Sequence, residues 1–69
     1  MTASEIRDRR TRLNLSQSEL SRRAHVSRYR LHSAEAGGAP LTSEEMIRIS
    51  DALRQQAQAL RQRLCEVLE

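Results

Sequence analysis

Apolar positions recur at helical spacings throughout the chain. Ile6, Arg10 and Leu13 share one face of a first helix, expected from about Ala3 to Leu13, with Asn14 in the left-handed conformation that ends a helix. A second helix, Gln17 to Ala24, turns Leu20 and Ala24 inward and Arg22 and Arg23 outward. After a turn at His25-Val26, a third runs from Arg28 to about Ala36. Gly37-Gly38 stops it, and Ala39-Pro40-Leu41 leads into a fourth helix at Thr42.

No stop signal follows. Met46, Leu53, Ala57, Leu60, Leu64 and Val67 keep spacings of three and four once Ser50 is allowed an inward position. Leu53-Ala57-Leu60-Leu64-Val67 reads as a heptad seam, with Leu68 beside it. Arg54, Gln55, Gln56, Gln58, Arg61, Gln62 and Arg63 cover the outside. One helix from 42 to about 68 would be ~40 Å long and would project beyond so small a domain. The seam needs something to bury against, and a second copy of the same helix is the simplest answer. The alternative is a break near Leu53 to Gln56, with the last helix folded back on its own domain.

Helix starts are written in repeated chemistry. Thr2-x-x-Glu5, Ser16-x-x-Glu19 and Thr42-x-x-Glu45 each read as a capping box, and Ser27 as an N-cap without the acidic partner. Leu15 with Leu20, Val26 with Leu31, and Leu41 with Met46 supply hydrophobic staples. Each cap contributes ~1 kcal/mol.

At 69 residues this is one small all-α domain with a marginal core. It lacks an apolar run long enough for a signal peptide or a membrane span, which suggests a cytoplasmic protein. The single cysteine, Cys65, has no internal partner and reads as an inert residue beside the seam more readily than as a thiol sensor. Net charge is only +3, but eight arginines face four acids in residues 1–36, and four face five beyond. Every basic residue is Arg. A basic N-terminal half is the footprint of a nucleic-acid binder; a solvated Arg-rich surface would look the same.

The third helix sharpens that choice. At 100° per residue Leu31 and Ala34 fall on one side, and Arg28, Tyr29, His32 and Ser33 on the opposite arc. A cation, a phenol, an imidazole and a hydroxyl can all hydrogen-bond to base edges or phosphates. A short helix with such a face, preceded by another, suggests a helix-turn-helix. Arg10 is odd in the middle of an apolar stripe, since a buried guanidinium needs an acid or carbonyls. Glu35, at a helix C-terminus, is badly placed against the macrodipole and wants a cation, so the two are expected to pair.

Taken together, Ile6-x-x-x-Arg10, Leu15-Ser16-Gln17-x-Glu19-Leu20-Ser21, Val26-Ser27-Arg28, Leu31 and Glu35-x-Gly37 resemble the phage repressor and Cro family of helix-turn-helix proteins, also called XRE-like. The resemblance covers about residues 4–53. It implies a five-helix lambda-repressor-like DNA-binding domain, with the fourth and fifth helices here either continuous or broken. It implies operator binding as a homodimer and a role in transcription regulation, most often as a repressor or autoregulator of bacterial or phage origin. Gln17 matches a position that contacts backbone phosphate. Ser27, Arg28, Tyr29, His32 and Ser33 match the start and exposed face of the recognition helix, and Arg10 and Glu35 match an Arg–acid pair. Three positions depart from the pattern: His25 where the turn usually has Gly, Ser21 for a usual Ala, and Arg54 where Gly usually follows the fourth helix. The last bears on the dimer, not on the DNA-reading unit.

The expected organisation is therefore a DNA-binding domain over 1–53 and a C-terminal dimerisation helix over 54–69. Arg28, Tyr29, His32 and Ser33 would reach bases. Gln17, Arg22, Arg23 and Arg30, with Ser16, Ser27 and the amides at the helix starts, would hold phosphates. Leu53, Ala57, Leu60, Leu64, Val67 and Leu68 would form the dimer interface. The partner is double-stranded DNA with two half-sites. No cofactor, metal or small-molecule ligand is implied, since His32 has no second ligand at i±4 and no catalytic set or phosphate loop is present. The competing reading is an antitoxin-like or adaptor protein whose C-terminal helix binds a different protein.

Overall fold

The computed structural model describes residues 2–68; the side chains of Val67 and Leu68, both assigned to the seam, lie outside the described residues. Among the described residues four helices follow one another: α1 (Ala3–Arg12), α2 (Gln17–Ala24), α3 (Arg28–Glu35) and α4 (Ser43–Leu68). The expectation of five helices is corrected to four, because residues 43–68 form one uninterrupted helix. The physical reason is local: Ala, Leu, Gln, Arg and Glu dominate this stretch, and all are strong helix formers. Arg54, standing where a helix-ending glycine was looked for, continues it.

Each boundary has a chemical cause. Thr2 Oγ1 accepts the Glu5 N–H at 3.2 Å. Ser16 and Glu19 form a reciprocal capping box, and so do Thr42 and Glu45, at 2.9 and 3.1 Å. Ser27 occupies the N-cap position of α3 but its side chain caps nothing, a correction to its expected role. Asn14 and Gly37 take positive φ, of 58° and 88°, and turn the chain after α1 and α3.

Ile6, Leu20, Leu31 and Ile49 are fully excluded from water, one from each helix. Leu15, Ala24, Val26, Ala52 and Leu53 complete the cluster, with Leu13, Leu41 and Met46 packed against it. α2 lies against α3 and α4, and α1 against α3 and α4. Such an all-aliphatic core sets the orientation of α2 and α3, which carry the outer chemistry.

Leu53 is only 4% exposed and belongs to this core. Its assignment to the dimer seam is therefore corrected: its apolar surface is already spent within one chain. The seam left over is Ala57, which is exposed, Leu60, half-buried, and Leu64, 63% exposed. The described chain measures 45 × 19 × 18 Å. A 26-residue helix is ~39 Å long, so α4 runs nearly the whole long axis and its last turns leave the body.

Candidate nucleic-acid interface

The turn between α2 and α3 closes on His25, at φ 54° and ψ 42°. A non-glycine residue there costs roughly 1–2 kcal/mol, offset by the burial of Val26 immediately after it. Val26 N–H donates to the Ser21 carbonyl at 3.0 Å. Ser21 is itself buried, its hydroxyl satisfied by the Ser18 carbonyl at 2.9 Å. The turn thus holds the two helices at one angle.

On α3, Leu31 and Ala34 are buried, whereas Arg28, Tyr29 and His32 face outward. Tyr29 is 88% exposed, the extreme among the large apolar side chains of the described residues. Gln17, Arg28, Tyr29 and His32 line one shallow groove, so the first residue of α2 and the outer arc of α3 form a single surface. Arg28 and, on α2, Arg22 are exposed and make no hydrogen bond or ion pair among the described residues.

Behind that groove sits a polar chain, buried at its Arg10–Glu35 end and exposed at His32. Arg10 donates from Nε to Glu35 Oε2 at 3.1 Å and from Nη2 to Oε1 at 2.9 Å. Its Nη1 donates to the Leu15 carbonyl at 2.9 Å. The two side chains are 15% and 4% exposed. This bidentate geometry, with the third nitrogen also satisfied, is the form in which a buried ion pair repays its desolvation. Gln17 Nε2 then donates to Glu35 Oε1 at 3.3 Å, and Gln17 Oε1 lies 3.4 Å from His32 Nδ1. One connected network joins α1, the loop after it, the start of α2 and the end of α3.

A second ion pair was not anticipated. Arg30 Nε and Nη2 donate to Glu45 Oε2 and Oε1 at 2.6 and 2.7 Å, and Nη2 reaches the Pro40 carbonyl at 3.4 Å. The guanidinium, and after it the Thr42 backbone N–H, pulls the Glu45 carboxyl down to about 2; the same contact raises Arg30. Arg30 therefore fastens α3 to α4, with its side chain still 43% exposed. The signal was available: Glu45 shares the inner face of α4 with Ile49 and Ala52, as Arg10 shares one with Ile6.

Three further positions are redrawn. Arg23 Nη1 donates to Gln56 Oε1, and Gln56 Nε2 donates to the Leu13 carbonyl at 3.4 Å. Gln56, read as an outward residue, is half-buried and bridges α4 to α1 and α2, and Arg23, itself exposed, is drawn towards α4. Ser33 is half-buried, with its hydroxyl against Gly38, where a Cβ would collide with it. Its carbonyl accepts the Gly38 N–H at 2.7 Å, so Ser33 shapes the end of α3 and does not face the groove, a correction to its base-reading role. Ser16 is exposed, with its oxygen accepting the Glu19 N–H at 3.0 Å.

Residues 6–60 match the helix-turn-helix family model, and the chain belongs to that family, in its Cro and phage-repressor (XRE) type. The family is one of DNA-binding transcription regulators. The match includes every residue of the polar chain, the whole turn, and α4 as far as Leu60. No curated protein and no solved structure matches the chain significantly. No helix among the described residues is long and apolar enough to cross a membrane, and no group of three or more His, Cys, Asp or Glu there could hold a metal ion.

Proposed function

We propose that the protein is a homodimeric transcriptional regulator, acting as a repressor in the cytoplasm, that reads an inverted-repeat operator through α3 in the major groove. The observation that carries this reading is the groove of Gln17, Arg28, Tyr29 and His32. It is exposed, it is rich in hydrogen-bonding groups, and the buried Arg10–Glu35 pair holds it from behind. Arg28 bonds guanine O6 and N7, and Tyr29 packs on a thymine methyl or bonds a phosphate. Gln17, Arg22 and the free amides at the starts of α2 and α3 hold phosphates and set the register. Residues 1–53 do the reading, and 54–69 bring two copies together through Ala57, Leu60 and Leu64. A dimer covering a promoter excludes polymerase, which is repression by occupancy.

Selection of bound duplexes from a random pool at roughly physiological salt tests this directly. The expected result is an enriched inverted repeat with half-site centres one turn apart, ~34 Å. Arg28→Ala should relax the preference at one base pair per half-site, whereas Arg22→Ala should weaken all sequences alike and flatten the salt dependence. A folded protein that enriches nothing would reject the reading. It would turn attention to a different protein as the partner of Leu60 and Leu64, the antitoxin-like or adaptor alternative.

A further inference from the structure

The hydrogen-bond chain behind the groove has a direction, and that direction ends on a base-reading atom. Glu35 holds the Arg10 guanidinium through both oxygens, so it is a carboxylate and can only accept. The Gln17 amide touches it at 3.3 Å and must therefore present its NH2 group there. The opposite amide orientation would set oxygen against oxygen. With its nitrogen fixed on Glu35, Gln17 turns its carbonyl oxygen to His32 Nδ1, 3.4 Å away. A carbonyl has nothing to donate, so the neutral imidazole completes the contact only by carrying its proton on Nδ1. Nε2 is then left unprotonated at the outer end of an exposed ring, with no partner among the described residues.

We infer that the Arg10–Glu35–Gln17 chain locks His32 in the Nδ1–H form and so makes it a hydrogen-bond acceptor towards DNA. In the major groove the matching donors are the exocyclic amines, cytosine N4 and adenine N6. The acceptor atoms, guanine O6 and N7 and thymine O4, oppose it with a lone pair. Arg28, one turn earlier on the same face, can only donate. The two residues therefore read opposite hydrogen-bond polarities from neighbouring base pairs. Gln17 is the positioning residue: it discriminates no base itself but decides which proton pattern His32 shows. The inference deepens the DNA-reading function and rests on it for its ligand, although the tautomer is a property of the free protein.

The two parts are tested separately. Long-range proton–nitrogen correlation spectra of the 15N-labelled full chain, at a pH above the imidazole titration, report the tautomer without any DNA. His32 is distinguished from His25 by the loss of its signals in His32→Gln. The expected pattern for His32 is a protonated Nδ1 and a bare Nε2, the reverse of the form that prevails in unconstrained histidine. In Gln17→Met, which keeps the side-chain length and leaves the Arg10–Glu35 pair in place, the pattern should revert to Nε2–H. An Nε2–H form in the unmodified protein overturns the inference outright, and that measurement needs no variant to fold. Duplex selection supplies the second arm. At one base pair per half-site of the enriched sequence, removing the exocyclic amine (2-pyrimidinone for cytosine, purine for adenine) should weaken binding roughly fivefold, the contribution of one net hydrogen bond, and Gln17→Met should erase that sensitivity while lowering affinity for all sequences. Binding that tolerates removal of the amine at every contacted base pair, or a sensitivity to it that Gln17→Met leaves unchanged, also overturns it. Failure to enrich any motif, beside an Nδ1–H spectrum, rejects the DNA-reading function and leaves the tautomer assignment standing.

Discussion

The two halves of α4 are chemically alike and physically opposed. Up to Leu53 the helix spends its apolar face on its own chain: Ile49, Ala52 and Leu53 are buried, and Glu45 ties it to α3. Beyond Leu53 the same kinds of residue recur at the same spacing, yet Ala57 is exposed and Leu64 is 63% exposed. Composition and periodicity do not separate them. What separates them is reach. α1 and α2 are about three turns or fewer in length, and α4 is a helix of 26 residues. The body runs out of helices to cover it: Gln56 still bridges to the Leu13 carbonyl, Leu60 is half-buried, and Leu64 is open to solvent. An amphipathic stripe therefore says that a face is to be buried, but only the lengths of its neighbours say by whom.

The sharpest way to test that division is to damage the body. Arg10→Ala removes the cation from a nearly enclosed carboxylate and leaves Glu35 with only the Gln17 amide. The expected cost is about 3–5 kcal/mol, measured by urea denaturation, which is a large share of the stability of a 69-residue domain. A cost under about 1 kcal/mol would mean that the pair opens to solvent. Ile49→Ala on the covered half of α4 should follow, at about 2–5 kcal/mol, because it leaves a cavity among Ile6, Leu20 and Leu31.

Acid gives the next smaller effect, and a more selective one. The Glu45 carboxyl is held at about 2 in the folded chain against an ordinary value of 4.5. A group depressed on folding stabilises above its unfolded value and loses that contribution as pH falls through the folded one. Stability should therefore decline between pH 4.5 and 2 more steeply in the natural protein than in Glu45→Gln, with circular dichroism following the melting temperature. Equal slopes would mean that Arg30 and Glu45 do not stay together in solution.

Local chemistry was the part of this fold that the sequence made easiest to read. Capping boxes act across three residues, so Ser16 with Glu19 and Thr42 with Glu45 mark helix starts whatever lies around them. Arg10 was legible for a different reason: a cation on an apolar stripe demands an acid, and Glu35 is where the structure supplies it. The same argument applied to Glu45, an acid beside Ile49 and Ala52, but its part in the capping box already accounted for it and hid the second bond to Arg30. One carboxylate performs both tasks, since Oε1 accepts from Thr42 and from Arg30. Ser33 was misplaced because a helical wheel gives only a direction around one axis. Whether the Ser33 hydroxyl meets solvent or the returning Gly38 backbone depends on the path of the chain after the helix. The direction of the Glu35–Gln17–His32 chain required atomic contacts between α2 and α3, which no spacing within either helix encodes.

The smallest expected effect on folding is also the one that decides what the far half of α4 is for. Leu60→Lys places a charge on the seam one turn beyond the Gln56 bridge, at a half-buried position. In a single chain a change at this rim position should shift stability by no more than about 1 kcal/mol. If the seam joins two copies, the same change buries two ammonium groups against each other across the two-fold axis, a configuration that the interface cannot retain. Sedimentation should then show a dimer for the natural protein and a monomer for Leu60→Lys, while the melting profile extrapolated to low protein concentration is the same for both. A folded Leu60→Lys that stays dimeric would move the interface off α4 altogether. If stability falls by several kcal/mol with no change in mass, the far half of the helix is bound to its own body, and the contrast between the two halves of α4 disappears.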